Sequence, residues 1–562
     1  MGCDKVEKHM EQGNGASRKR IGIFGWGLVA PKSPNIQTFR DNLRRASTWL
    51  TPFQGFGPNN FLVGQPDFRF EDYKPWINAR FEPRKFSQLE AKMGNAVKYA
   101  IGAYIQSLSK NPELESLMQE LGNQTHIYVG SGLGDYPVIY KTSIEYYKAQ
   151  KRWNRFWCQP AYHGKLEMYA HADDHTKREM REALGAPEDP AGVDEYDPNY
   201  DDICDAWYAF WVGHSEGLKV YLRKVREVES LDIKGDIDVG KSHMIRHKQA
   251  ARRKINQAYR CPTEPWASVN PNILWNIPNI PGAQISMLGR ITGPAIAPIG
   301  ACAGFVSSLK LAEMAIRLDE AKVCVVGMTD AEPNPLTVGG FFGARVIAHD
   351  GQASKPLTGL RGTHISGGAC IWIVGDYDYL TAKGMKPVGL ELIGIGMSSD
   401  AHHIITPNAE GPRAAIQQAM DRAEVTPEAI TTWDMHATAT PGDWTELTSA
   451  IGLFPRSTYL TARKGSFGHG MSVCGGWELT AQHLGLEVGE IMPVNVEEYE
   501  FHEMIRPYAD QLVTNHPIRL EQPAITGKIN MGVGGINGCV ICKPWAKTAN
   551  IEEPIEKAEA KV

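Results

Sequence analysis

The sequence predicts an α/β protein made of two related α/β halves, with a largely helical segment inserted into the first. Three observations predict it. Apolar strand-like runs ending in glycine-rich loops alternate with helical runs. The later part of the chain repeats the order of the earlier part, and one stretch, roughly 148–262, breaks the pattern.

In chain order, "RIGIFGWGLVAP" is a strand running into glycines and "KFSQLEAKMGNAVKYAIGAYIQSL" is a helix. "THIYVGSGLGD" and "KVCVVGMTDAEPNP" are strands ending in small polar loops, and "PIGACAGFVSSLKLAEMAI" (298–316) is a loop entering a helix. That helix presents Phe305, Leu309, Ala312 and Ile316 on roughly one face. Later, "KPVGLELIGIGMSSD" echoes the first strand and "AITTWDMHATATPGD" echoes "THIYVGSGLGD". "KGSFGHGMSVCGGWELTAQHLGL" echoes the loop and helix at Cys302. The expected organisation is a disordered tail at 1–18, a first half over 19–147 and 263–380, and an insertion at 148–262. A second half over 381–546 and a tail at 547–562 complete it. The insertion is rich in aromatics (Trp153, Trp157, Tyr200, Trp207, Tyr208, Trp211), and its part from Gly217 to Tyr259 reads as helical.

A chain of 562 residues with 42% hydrophobic and 22% charged residues is an ordinary globular composition. The net charge of −5 gives no general case for nucleic-acid binding. No stretch approaches the ~20 apolar residues of a membrane span, and residues 1–20 lack the apolar core of a signal peptide. Met1-Gly2-Cys3 invites a lipidation reading, but Val6 stands where the myristoylation pattern takes Ser or Thr. Ten cysteines, thinly spread in apolar surroundings, fit free thiols in a cytoplasmic protein. The C-x-x-C pair Cys539 and Cys542 lies on a strand, where residues three apart face opposite sides.

Three loops carry residues able to do chemistry. In "GACAGF", Cys302 precedes a helix among residues too small to shield it, so it is either a small buried filler or a nucleophile. A free thiol has a pKa of about 8.5, which a helix N-terminus lowers. "DMHATATPGDWTE" holds His436, Thr438, Thr440, Asp443 and Glu446; a lone histidine after a strand is ordinarily structural. "KGSFGHGMSVCGGWEL" holds Lys464, His469 and Glu478 among glycines that allow close approach. Two competing uses are weaker. His163, His171, Asp173 and His175 match no closed zinc spacing. Gly25, Gly27 and Ala30 complete a G-x-G-x-x-A pattern, which would make the protein a nucleotide-binding oxidoreductase. The acidic residue expected about 20 residues further on is missing.

Taken in order, these loops resemble the β-ketoacyl synthase (ketosynthase) family of thiolase-fold condensing enzymes. The family's T-A-C-[SA]-[SG] loop resembles "GACAG" at Cys302, and its H-G-T-x-T motif resembles "HATAT" at His436, with Ala437 for the glycine. K-x-x-x-G-H matches "KGSFGH" at Lys464 and His469, and G-F-G-G-x-N is approximated by "GVGGIN" at 532–537. The resemblance covers about 20–147 and 263–545. It implies a thiolase-like fold in layered α-β-α-β-α arrangement, and a decarboxylative Claisen condensation of an acyl thioester with malonyl-acyl carrier protein, in fatty acid or polyketide biosynthesis.

By that resemblance Cys302 accepts the acyl group and His436 and His469 stabilise the enolate. Backbone N–H groups of Cys302 and Val533 hold the oxyanion. Lys464, supported by Glu478, orients the histidine loop, and Thr438 and Thr440 bind the phosphopantetheine arm, which arrives on the carrier protein. No metal or other cofactor is implied. The implied assembly is a homodimer or a ketosynthase heterodimer. An acyltransferase, or the partner subunit of another ketosynthase, is the alternative on the same fold. Two departures stand out: "LRGTHISGGACIWIV" lacks both acids of the family's R-D-G-F-V-x-G-E-G-A segment, and Val533 replaces a gating phenylalanine. The run "KSHMIRHKQAARRK" (241–254), with Lys241, Arg246, Lys248, Arg252, Arg253 and Lys254 and no acid, is a candidate docking face for an acidic carrier protein.

Overall fold

The computed structural model describes residues 18–57, 60–231, 237–404 and 409–545, so the expected tails at 1–18 and 547–562 lie, but for Arg18, outside the described residues. The chain forms two compact units, one of Ile139–Ile273 and one of the residues before and after it.

Among the described residues, the main sheet of the larger unit holds ten strands. In the first half they are β1 (Ile21–Val29), β2 (Thr125–Gly130), β3 (Ala295–Ile296), β4 (Val323–Asp330) and β5 (Gly368–Asp376). In the second half they are β6 (Val388–Ser399), β7 (Ile430–Asp434), β8 (Tyr459–Thr461), β9 (Ile525–Gly532) and β10 (Ile536–Lys543). The order is β3-β2-β4-β5-β1 in one half and β8-β7-β9-β10-β6 in the other. Numbered within each half, both read 3-2-4-5-1, with the first two pairings parallel and the last two antiparallel. The echoes in the sequence are therefore a duplicated topology. The two sheets meet along one edge, where β1 and β6 share only the pairs Ile21↔Leu392 and Ile23↔Val388.

Helices cover and separate the sheets. Helices α1 (Asn95–Ser107) and α2 (Ile280–Gly289) pack on the outer face of the first sheet, against Val29, Ile127, Val325 and Ile371. Helices α3 (Gly304–Arg317) and α6 (Cys474–Leu486) lie between the sheets. Helices α4 (Glu410–Ala423) and α5 (Gly442–Leu453) cover the outer face of the second sheet. This is the expected α-β-α-β-α layering. Strand β5 shows why its sequence lacks polar alternation: Cys370, Trp372 and Val374 face the central layer, while Ile371 and Ile373 face the outer one.

The glycines of "GIFGWGLVA" do not form a nucleotide-binding turn. They sit inside β1, where a Cβ would come within 2.0 Å of the Ser107 carbonyl oxygen at Gly25 and 1.9 Å of the Ala103 oxygen at Gly27. Their role is to let α1 lie close against the strand. Cys539 and Cys542 face opposite sides of β10, in the outer and central cores respectively.

The smaller unit extends beyond the expected 148–262 at both ends; at the first, helix Tyr136–Trp157 runs unbroken past residue 148. Its interior is aromatic: Trp153, Trp157 and Tyr221 form one cluster, Trp207, Trp211 and Tyr169 another. The chain leaves and re-enters the larger unit through one doorway, stapled by Ser131 N–H to the Pro278 carbonyl at 3.0 Å and Asp135 N–H to the Asn276 carbonyl at 3.1 Å. The histidines weighed as zinc ligands are otherwise employed. His163 is buried, with Nδ1 accepting from Leu166 N–H and Nε2 facing the Trp211 carbonyl, and His175 is an exposed partner of Glu179.

Candidate active site

The layering brings loops of both halves to one point. Cys302 sits in a single 3-10 turn, Ala301–Ala303, that leads into α3, with Ala301 held at φ 46°. His436 follows β7, and His469 follows the short helix Lys464–Phe467. The Cys302 Sγ and one ring nitrogen from each histidine lie within 4.8 Å of one another, all on buried residues. The imidazole rings stand edge to face, their centroids 5.4 Å apart.

Hydrogen bonds determine what those rings present. The Met471 N–H donates to His469 Nδ1 at 3.0 Å, and the Lys464 ammonium lies 3.3 Å from His436 Nδ1. A nitrogen that accepts carries no proton, so each neutral ring keeps its proton on Nε2. Burial is the main force keeping both rings neutral, with Lys464 adding to it. It holds His469 down to about 3 and His436 well below its ordinary value.

Behind the rings lies a buried charge cluster. Glu478, on α6, accepts from Lys464 Nζ at 2.5 Å, Lys528 Nζ at 2.9 Å and Asn530 Nδ2 at 3.1 Å. Burial works to raise the Glu478 carboxyl, but the two ammonium groups outweigh it and hold the group below the usual carboxylate range. Lys464 also donates to the His436 carbonyl, and Lys528 to that of Met435 at 2.9 Å. Glu446 accepts from the N–H groups of His436 and Ala437 at 2.5 and 2.7 Å. Asp443 accepts from those of Thr438 and Ala439 at 2.8 and 3.0 Å. Thr438 and Thr440 sit side by side, their hydroxyls 3.0 Å apart.

The thiol departs from the expectation of a helix-lowered pKa. Burial pushes Cys302 up to about 11, and the opposing pulls of the Val533 N–H and Lys464 are smaller. The small residues around Cys302 expose its loop in sequence, but the fold covers it, and desolvation of the thiolate outweighs the helix dipole.

The segment that lacks the two acids has a structural task. His364 Nδ1 faces the Leu62 carbonyl at 3.0 Å and Nε2 accepts from Ser354 N–H at 2.8 Å. Its carbonyl accepts from His469 N–H at 2.6 Å, and Ser366 N–H donates to the His469 carbonyl at 2.9 Å. The segment therefore splints the His469 loop by main-chain bonds. Lys528 and Asn530 are contributors that sequence reasoning missed; both lie on a strand with no motif around them.

The comparisons with known proteins agree with this geometry. Residues 244–374 match the family model "Beta-ketoacyl synthase, N-terminal domain" and residues 390–496 match "Beta-ketoacyl synthase, C-terminal domain". The chain belongs to the β-ketoacyl synthase family. A 3-oxoacyl-[acyl-carrier-protein] synthase homolog of Saccharomyces cerevisiae is 29% identical over 289 residues, covering 49% of this chain and 65% of that one. The 3-oxoacyl-[acyl-carrier-protein] synthase 2 of Vibrio harveyi is 27% identical over 283 residues, covering 48% and 67%. The aligned stretches thus span about two thirds of these relatives' lengths. Among solved structures, the ishigamide ketosynthase/chain length factor superposes with a TM-score of 0.62 at 17% identity, over 94% of this chain and all of that one. A β-ketoacyl synthase from Burkholderia phymatum gives 0.61 at 14%, with the same coverage.

The raised thiol yields a direct expectation. Site-resolved alkylation of Cys302 by iodoacetamide should keep accelerating above pH 9 toward about 11. A plateau below pH 8 would show a thiolate stabilised beyond what this burial permits.

Proposed function

We propose that this ketosynthase-family protein catalyses the decarboxylative condensation of an acyl thioester with malonyl-acyl carrier protein. The observation that carries the reading is the meeting of one thiol with two imidazoles whose Nδ1 atoms are both occupied. The Cys302 sulfur, as thiolate, attacks the acyl thioester carbon and expels the donor thiol, which takes up the proton. The backbone N–H groups of Cys302 and Val533 stabilise the oxyanion. Malonyl thioester then loses carbon dioxide, and the electron pair left behind becomes an enolate whose oxygen accepts from the Nε2–H groups of His436 and His469. The enolate carbon attacks the acyl-Cys302 carbon, the C–S bond breaks, and a β-ketoacyl thioester leaves. Neutral donors suit this step, because they stabilise the enolate without protonating it.

Lys464 and Glu478 hold His436 in register, and Thr438 with Thr440 is the proposed contact for the phosphopantetheine arm. Val533 is 46% exposed, and where the family resemblance implies phenylalanine its smaller side chain gives a wider entry. A substrate with a bulky acyl group fits that opening. The intact thiol disfavours the alternative of a catalytically silent partner subunit. Incubation with an acyl thioester should add the acyl mass to Cys302, and malonyl-carrier protein should then release carbon dioxide. Cys302→Ala should abolish the adduct, and His469→Ala should slow decarboxylation by about 10²–10³-fold, the loss typical of one such donor. Absence of any adduct on Cys302 would overturn the reading.

The acidic carrier protein is proposed to dock on helix Ile237–Tyr259. Two of the basic residues named from sequence are committed elsewhere: Arg252 bonds Glu264 at 3.0 Å, and Lys248 donates to the Glu229 carbonyl at 2.6 Å. Lys241, Arg246, Arg253 and Lys254 remain exposed along the same helix, with Arg246, Arg253 and Lys254 nearest one another around it. Joint reversal of Arg253 and Lys254 to Glu should raise the KM for malonyl-carrier protein and leave turnover of a small acyl thioester unchanged. An unmoved KM removes this face as the docking site.

A second copy is the proposed partner at the sheet edge, where β3, with Ile296, is exposed, as are Ile299 and Met287. Light scattering should give twice the chain mass, and Ile296→Asp should shift it toward the monomer; a wild-type monomer would exclude the assembly. No helix among the described residues is long and apolar enough to cross a membrane. The nine described cysteines are all free, which supports a reducing compartment such as the cytoplasm.

A further inference from the structure

The second half carries a loop built like the nucleophile loop of the first. Gly300-Ala301-Cys302-Ala303 enters α3 through a single 3-10 turn with Ala301 at φ 46°. Gly470-Met471-Ser472-Val473 enters α6 through a single 3-10 turn with Met471 at φ 53°. In each, a left-handed residue sets the next side chain at the helix entrance. Ser472 therefore occupies the position that Cys302 occupies in the other half.

What faces the two side chains differs. The fourth strand of the second half ends at Gly532, where a Cβ would lie 3.1 Å from the Cys302 backbone nitrogen. The fourth strand of the first half ends instead at Asp330, which is 1% exposed. Asp330 Oδ2 accepts from Ser472 Oγ at 2.5 Å and from Ser472 N–H at 3.0 Å. Its Oδ1 accepts from Ser131 Oγ at 2.9 Å and from Leu133 N–H at 3.1 Å. The carboxylate thus ties the loop after β2 to the loop that carries His469.

Met471 links this clamp to the chemistry. A residue other than glycine keeps a left-handed φ only where its surroundings over-determine it. Asp330 holds the following residue by both its amide and its hydroxyl. The turn so fixed aims the Met471 N–H at His469 Nδ1, 3.0 Å away. We propose that Asp330 is a positioning residue: by clamping Ser472 it holds the Met471 turn and so fixes the tautomer in which His469 faces the Cys302 thiol. The second copy of the nucleophile loop has become a latch, its hydroxyl used as a donor to the other half. The consequence for turnover rests on the condensing reading above.

The test uses the full chain and two variants. Asp330→Asn keeps the size but turns an amide N–H2 toward N–H donors, and Ser472→Ala removes the hydroxyl while keeping the backbone donor. In ¹⁵N-histidine spectra, with the signal assigned by His469→Gln, wild type should show His469 protonated on Nε2 alone. Asp330→Asn should show a tautomer mixture. Carbon dioxide release from a malonyl thioester should fall about tenfold or more in Asp330→Asn, since small misplacement of a reacting group costs up to ~10²-fold. Alkylation of Cys302 should not slow, because a nearby negative charge has been removed. Ser472→Ala should move both readouts in the same direction by less, and it decides the matter if Asp330→Asn does not fold. If wild type releases no carbon dioxide, the condensing reading fails, while the spectra still judge Asp330. An unchanged tautomer, or equal losses in decarboxylation and alkylation, overturns the proposal.

Discussion

The site depends on one carboxylate held between two ammonium groups. Glu478 belongs to the helix between the sheets, Lys528 to a strand of the second sheet, and Lys464 to the loop that reaches His436. All three are buried. Burying a charge is costly unless it is paired and hydrogen-bonded, and removing one partner of a buried pair typically costs about 3–5 kcal/mol. Each group therefore constrains the other two. Pairing Glu478 fixes α6 against β9, and the hydrogens Lys464 has left over fix His436. Asn530 occupies the remaining side of the carboxylate. Stability of the central layer and alignment of the histidine loop are here the same interaction.

A second consequence is the charge state of the reacting groups. The cations stand behind the imidazoles, so that burial and Lys464 together disfavour imidazolium. The thiol is likewise held in its protonated form by burial. The resting site is then neutral where substrate enters and charged only behind it. Such an arrangement offers directed N–H dipoles to a developing negative charge without an ion that would trap it.

The outline of this was legible in the sequence because loops after equivalent strands carry distinctive residues. Cys302, His436, Lys464 and His469 stand in short motifs rich in small residues, and the order of those motifs reflects the duplicated topology. The charge balance was not legible. Lys528 and Asn530 lie in "TGKINMG", where a lysine between apolar residues reads as the solvent side of an edge strand. The pairing of β9 with β7 and β10 makes it an interior strand, and the helices on either side of the second sheet cover its two faces. Asp330 was hidden for a similar reason, ending a strand in a loop that looked merely polar. The Gly25–Gly27 pattern misled in the opposite direction: glycines required for close helix packing spell the same letters as glycines required for a phosphate turn.

The doorway at Ser131–Pro278 and Asp135–Asn276 has a consequence for the architecture as a whole. Because the outgoing and returning chains are already bonded to each other, the ends of the smaller unit are fixed side by side whatever lies between them. Closing that gap takes only a tight turn, and filling it with another folded segment disturbs no strand register. The unit is in this sense a detachable cassette. A scaffold with such a port can exchange the module it carries while the groups of its central site stay in place.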